Sequence, residues 1–354
     1  MTKKQEKIYD IVAPSSMGVR MCPIGGEAIE YSDQFHMQAT SAETNVLSVF
    51  SSLNLKAKVL TLFVKDGLIS TFIKRDLNKR RIAFDPIDIE KDNPWGVRHQ
   101  INFADSGFGF RAPKLENDRA GEVGSHLSLT HFDLDKLFDQ QGVKLLHLSG
   151  LIVSLSTASA DFCLALAKKA KQSNTLISFD LNYRASFWKN RKKDLSEVYH
   201  ELVGLADILI GNEEDIQQTL FINGPTVHQK IDDKAYQTMI LDVASKYANL
   251  SVISITLRDV LSVNKHMWGA LTYQNKRFYH IPPEAIDVYD RIGGGDAYAG
   301  GLLYGLNRGW DIEKSTQFGW SAGVLAVSHR YDYILPTHED DLWRIWEKNT
   351  RIKR

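Results

Sequence analysis

Asp290-Arg-Ile-Gly-Gly-Gly-Asp-Ala-Tyr-Ala-Gly-Gly301 sets three glycines directly before an acid, Asp296, and then passes into a helical pattern. Tyr298, Leu302 and Leu306 recur every four residues, which turns one apolar stripe toward a core. Gly293, Gly294 and Gly295 therefore fall just before or within a first helical turn. Unpaired backbone N–H groups and the positive end of the helix dipole hold an anion there. Lacking Cβ atoms, the glycines let the backbone approach a phosphate closely. An acid at the same place repels a phosphate, unless it is the base that takes a proton from a hydroxyl attacking that phosphate. Standing alone, the run reads equally as a flexible turn with ordinary dipole complementation by Asp296.

Outward from this stretch, short apolar runs alternate with helical patterns. Strands are expected at Lys7–Ala13, Ala57–Phe63, Val143–Leu148, Thr175–Phe179, Asp207–Ile210 and Ser251–Thr256. A helix is expected at Ala42–Leu53, with others around 156–172, 188–205 and 234–247. Such alternation implies an α/β fold, a mostly parallel sheet with helices on both faces. Ligands then bind beyond the carboxyl ends of the strands. Two segments, about 18–39 and 96–119, break the rhythm with short extended patches rich in Gly, Pro, Asn and Asp. They read as a small sheet that covers the site, or as surface loops; at that length an ordered or functional role is expected.

With 354 residues, 43% hydrophobic and 24% charged, the chain has an ample core for one or two domains. Lys+Arg and Asp+Glu balance at 43 each, so no global field favours nucleic acid or an acidic membrane. Two cysteines make no disulfide framework, which suits a reducing cytosol. The charged start has no apolar signal core, and no run approaches the roughly 18 apolar residues of a membrane span. A cytoplasmic location is expected. The basic ending Arg351–Arg354 reads as a solvated tail, and His126 and His131 lack metal-site spacing.

Two strand ends carry further polar groups. In Phe179-Asp-Leu-Asn-Tyr-Arg184 the alternate spacing would put Asp180, Asn182 and Arg184 on one face of an extended chain. An acid, an amide and a guanidinium there suit a polyhydroxyl or phosphorylated ligand, with Arg184 able to bond two oxygens. The bland alternative is a capping and salt-bridge cluster that introduces the helix near Trp188. In Ile210-Gly-Asn-Glu-Glu-Asp215, Asn212 suits a helix cap with acids in the first turn, and taken alone the motif favours that structural role. The functional alternative is that Asn212 and Asp215 organise water around Mg²⁺ on a nucleotide.

With these motifs in order, the chain resembles the ribokinase-like (phosphofructokinase-B) sugar kinases, and is most similar to their 2-keto-3-deoxygluconate kinase branch. The signature of Asp-x-x-Gly-Ala-Gly-Asp type is matched by Asp290, Gly293, Gly294, Gly295 and Asp296; the Asp-x-Asn-x-Arg segment by Asp180, Asn182 and Arg184; the Asn-x-x-Glu segment by Asn212 to Asp215. Thr256-Leu-Arg-Asp, Trp268 and Ala270 look like the strand and turn before the signature. The departures lie on the sugar side: Ser15-Ser16, Thr40-Ser41, Lys65 and Asn117 stand where relatives carry other residues. Glycine pairs would let backbone approach a sugar, and Thr40-Ser41 adds side chains there.

The resemblance implies a single three-layer αβα domain over 1–354, with a small β-sheet lid from about 18–39 and 96–119. It implies an ATP- and Mg²⁺-dependent kinase acting on a primary hydroxyl of a sugar acid, 2-keto-3-deoxygluconate first. Asp296 would be the base and Gly293, Gly294 and Gly295 the anion hole. Arg184, Asp180, Asn182, Arg119 and Asn45 would bind substrate; Asn212, Thr256 and Arg258 the nucleotide; Asp215, through water, the metal. Exposed lid edges offer a homodimer contact. Competing readings are a kinase for fructose, tagatose or 5-dehydro-2-deoxygluconate, and a catalytically silent sugar-binding regulator, against which an intact Asp296 argues. A dinucleotide oxidoreductase is disfavoured because its glycine fingerprint belongs after an early strand.

Overall fold

In the computed structural model, residues 7–225 and 232–351 are described. Residues 1–6 of the N-terminal stretch read for a signal, and all but Arg351 of the basic ending, lie outside them. The described residues contain fifteen strands: β1 (Tyr9–Pro14), β2 (Gly18–Pro23), β3 (Phe35–Thr40), β4 (Ala57–Leu60), β5 (Phe63–Val64), β6 (Ala83–Phe84), β7 (Asp88–Ile89), β8 (Gln100–Ala104), β9 (Leu115–Asp118), β10 (Val143–Ser149), β11 (Leu176–Asp180), β12 (Ile208–Gly211), β13 (Val252–Ser262), β14 (Lys265–Gln274) and β15 (Arg277–Asp287).

Nine of them form the large sheet, ordered β15-β14-β13-β12-β11-β10-β1-β4-β6. Its strands run parallel from β6 to β13. Near-continuous apolar stretches such as Tyr9–Pro14 suit that burial on both faces. One face is covered by helices 157–172, 192–205, 213–220 and 233–246, through Phe162, Leu166, Tyr199, Leu202, Ile216 and Met239. The other is covered by helices 42–52, 294–307 and 312–327, through Leu47, Phe50, Tyr298, Leu302 and Phe318. This is the expected three-layer α/β fold. Among the described residues no helix is long and apolar enough to cross a membrane.

The chain passes from β1 to β4 on one side of the sheet and later resumes at β10 on the other. The strand order thus reverses between β1 and β10, and the crevice beyond their carboxyl ends is where such sheets bind ligands. Four strands, ordered β3-β2-β8-β9, make the small sheet from the two segments that broke the rhythm.

The differences in detail have local causes. The run expected as one strand over 57–63 ends at Leu60, and β5 pairs with β7 in a separate ribbon. The helical pattern over 188–205 is interrupted: Asn190 adopts φ 62°, separating helices 185–188 and 192–205. Beyond Thr256, β13 continues to Ser262 and folds back through β14 and β15 as antiparallel partners.

Candidate active site

Helix 294–307 opens at Gly293, whose φ of 85° lies in the left-handed region. A side chain there would be strained and would also collide with the Asp332 carbonyl. At Gly294 a Cβ would press on Val327, 2.8 Å away. Gly295 is different: it is exposed, and no atom lies within 4 Å of its Cβ position. The first two glycines are required by packing, whereas the third leaves open space above the helix start. The N–H groups of Gly294, Gly295 and Asp296 have no carbonyl one turn back inside the helix. The apolar stripe faces inward as expected, with Tyr298 and Leu302 buried and the Tyr298 hydroxyl 2.6 Å from Ser254 Oγ.

Asp296 lines the cleft at this turn. Its Oδ2 accepts a 2.8 Å hydrogen bond from Asn45 Nδ2, on helix 42–52. Burial pushes the carboxyl up from 3.8 to about 7; Asn45 and Arg184 oppose the rise, and Glu43 and Asp332 add to it. Asn45, expected at a sugar hydroxyl, thus orients the acid, while its buried Oδ1 has no hydrogen-bond partner among the described residues.

Asp180 is buried at the end of β11, and its carboxyl is raised well above the usual range by burial, then by Asp215 and Asp296. The shared face expected for Asp180, Asn182 and Arg184 does not form. The strand ends at Asp180, and Asn182 takes φ 36° with its N–H donating to Asp180 Oδ1 at 3.2 Å. This short Asx turn breaks the alternation. Asn182 Oδ1 is buried without a described partner. Arg184 is exposed, bonding only the Tyr183 carbonyl, yet it lies close enough to lower Asp180, Asp215 and Asp296 electrostatically.

Asn212 and Asp215 form a reciprocal capping box, each bond 2.9 Å, so the structural reading of that motif is realised. Asp215 Oδ1 also accepts the Tyr183 N–H at 2.8 Å. Burial raises Asp215 to about 6 despite these donors.

Thr256 and Arg258 project from β13. Arg258 is an exposed residue, yet desolvation of its guanidinium beside the sheet and the charges of Arg291 and Arg184 lower it, while Glu213 and Asp215 oppose. Arg184, Arg258 and Arg291 thus lie within electrostatic reach of one another, with Arg184 also in reach of Asp296 and Arg291 two residues before Gly293. Arg291 was not singled out from the sequence, although it stands inside the signature itself. Its signal was a guanidinium two residues before the glycine turn.

The sugar-side departures are consumed within the protein. Ser15 Oγ donates to the buried Glu43 at 2.6 Å, and Ser16 Oγ to Glu122. Thr40 Oγ1 donates to Asp332 at 2.7 Å, and Ser41 caps helix 42–52. Lys65 points to the surface beside Glu90, and Asn117 is exposed on the edge strand β9. Arg119 Nη1 bridges both oxygens of Glu122 at 2.8 and 2.9 Å and lies over the Phe187 ring. Its Nη2 and Nε make no bond to a described residue.

Residues 19–338 match the model of the pfkB family of carbohydrate kinases. The chain belongs to this family. It is 32% identical over 330 residues to a 5-dehydro-2-deoxygluconokinase of Clostridium beijerinckii, covering 90% of each chain. It is 24% identical over 325 residues to a 2-dehydro-3-deoxygalactonokinase of Haloferax volcanii, covering 91% of this chain and 92% of that one. The crystal structure of a 2-dehydro-3-deoxygluconokinase from Thermotoga maritima superposes with a TM-score of 0.87 at 26% identity, over 96% of this chain and 99% of that one. The protein is thus an ATP-dependent sugar or sugar-acid kinase of the pfkB family.

Proposed function

We propose that this pfkB kinase transfers the γ-phosphate of ATP to the primary hydroxyl of a keto-deoxy sugar acid, 2-keto-3-deoxygluconate yielding its 6-phosphate. One observation carries the chemistry: an acid held near neutrality sits at the start of a helix with an open glycine face, within electrostatic reach of Arg184, which in turn neighbours Arg258 and Arg291. The open space at Gly295 and the guanidinium forks fit a polyphosphate. Mg²⁺ on the ATP phosphates would neutralise charge as the phosphoryl group moves.

Asp296, oriented by Asn45, takes the proton from the attacking hydroxyl. The N–H groups at the Gly293–Gly295 turn stabilise charge growing on the phosphoryl oxygens. Arg258 and Thr256 hold the nucleotide from β13. Asn212 and Asp215 reach the metal only through water, because their first hydrogen bonds belong to the capping box. Arg184 and the free side of Arg119 take the carboxylate, with Asp180, Asn182 and the unpaired Asn45 Oδ1 left for hydroxyls. The small sheet acts as a lid within one domain, excluding water during transfer. The exposed Tyr31, Phe108 and Phe110, in the connections between its strands, support docking of a second copy.

The Clostridium relative favours a second reading, in which 5-dehydro-2-deoxygluconate is the acceptor. Incubation with Mg-ATP and each acid, beside fructose and tagatose, followed by mass spectrometry and NMR location of the phosphate, separates the two. A terminal phosphate on 2-keto-3-deoxygluconate is expected. Phosphorylation of neutral ketoses alone, or binding without any phosphorylated product, would overturn the proposal.

A further inference from the structure

We propose that Arg20 is a positioning residue for phosphoryl transfer: from strand β2 of the small sheet, its guanidinium clamps Asp290 and Asp332 and thereby fixes the Gly293–Asp296 turn. All three side chains are buried, at 2%, 1% and 1% exposure. Arg20 Nη2 donates to Asp290 Oδ2, and Nη1 to Asp332 Oδ1.

The two acids hold the turn from either side. Asp290 begins the signature and accepts the Ile292 N–H at 3.0 Å on its other oxygen, which ties the carboxylate to the residue just before Gly293. The Asp332 carbonyl backs onto Gly293, where any Cβ would strike it. The small sheet and the segment just after β8 add to the clamp. Ser106 Oγ donates to Asp290 Oδ2 at 2.8 Å, Thr40 Oγ1 to Asp332 Oδ2 at 2.7 Å, and the Asp332 N–H to Gln38 Oε1 at 3.1 Å.

Charge explains why a guanidinium is needed here. Two buried carboxylates lie beside a turn built to receive an anion, and Arg20 is their shared cation. A planar fork spans two carboxylates on different segments, which an ammonium does not. Without it, the acids repel each other and the turn they brace shifts. Displacing a reacting group by about 1 Å lowers turnover about 10²-fold. ATP and sugar still bind through groups that Arg20 does not touch, so the loss falls on kcat.

The inference rests on the phosphoryl-transfer reading of Asp296, not on the identity of the sugar. Its test therefore uses whichever acceptor the wild type phosphorylates, with Asp296→Asn assayed in parallel. Arg20→Ala is expected to lose about 10²-fold in kcat with KM for ATP changed less than about threefold, and millimolar guanidinium is expected to restore part of the loss where equal urea does not. Should that variant not fold, Arg20→Lys gives the reading, with a lowered kcat at near-normal KM. The inference is overturned by near-normal kcat in Arg20→Ala or Arg20→Lys, by a loss confined to KM, or by the absence of guanidinium rescue in folded Arg20→Ala. Full activity of Asp296→Asn would instead overturn the phosphoryl-transfer reading beneath it.

Discussion

Replacing Asp296 by Asn should stabilise the fold while nearly abolishing turnover. The carboxyl rises from 3.8 to about 7, chiefly through burial, so the folded protein holds a proton that the unfolded chain has released. Because the native state binds more protons, stability contributed by this group falls as pH rises. Each pH unit of displacement is worth 1.36 kcal/mol, giving an upper bound of about 4 kcal/mol. The cleft side of Asp296 faces solvent, which brings this to about 2 kcal/mol. An amide of the same shape bears no such charge and retains an oxygen to accept from Asn45. The gain should be near zero at about pH 4, grow through the interval to about pH 7, and stay constant above it. Urea melts of both proteins across that range measure it directly, and at pH 8 the melting temperature should rise by about 3 °C. Over the same range kcat of the variant should lie about 10²–10⁴-fold below wild type, and wild-type kcat/KM should fall about tenfold per unit below about pH 7. A gain independent of pH, or a destabilised variant, would refute the assignment of a burial-raised acid at this turn.

Arg184→Lys keeps its charge but loses the fork, and kcat/KM for the sugar acid should drop at least about tenfold; equal kinetics in a coupled ATP assay would remove Arg184 from the substrate. Gly293→Ala should destabilise by more than about 1 kcal/mol in a urea melt, since φ is positive and the Asp332 carbonyl blocks the Cβ. Gly295→Ala should melt as wild type, because open space surrounds that position, yet show impaired kcat. Phe110→Asp, in the connection between β8 and β9 and 98% exposed, should convert the proposed dimer into a monomer by light scattering, and an unchanged mass would discount that face as the contact.

Much of the architecture was legible because burial on both faces writes a plain signal. Apart from the two-residue β6, the parallel strands of the large sheet read as apolar runs, and helices 42–52, 157–172 and 233–246 show a repeating stripe, whereas helices 68–79 and 213–220 were not anticipated. The antiparallel extension was missed for the same physical reason. Strands β14 and β15 carry polar residues among apolar ones, and β13 loses its apolar run beyond Leu257, where it leaves the core. Local backbone chemistry was harder to foresee. Asp180, Asn182 and Arg184 alternate in sequence, but an Asx turn at Asn182 ends the strand that alternation assumed.

The two halves of the candidate site differ in how far apart their partners lie along the chain. The glycine turn, its first acid and the proposed base fit within Asp290–Asp296, and the Asn212–Asp215 cap spans four residues, so spacing alone exposes them. On the sugar side the decisive contacts join distant segments: Ser15 to Glu43, Ser16 to Glu122, Thr40 to Asp332 and Arg20 to Asp332. A sequence shows hydroxyls at 15, 16 and 40, but not that inward acids already occupy them. Those hydroxyls therefore fasten elements around the crevice instead of enlarging its contacts with a sugar. Under the proposed function, discrimination between acceptors would fall to groups still free to bond, above all Arg184 and the open side of Arg119, whose forks suit a carboxylate better than an additional hydroxyl. A neutral ketose leaves those forks unmatched, whereas either keto-deoxy acid fills them, which is why charge, more than hydroxyl count, should set the preference.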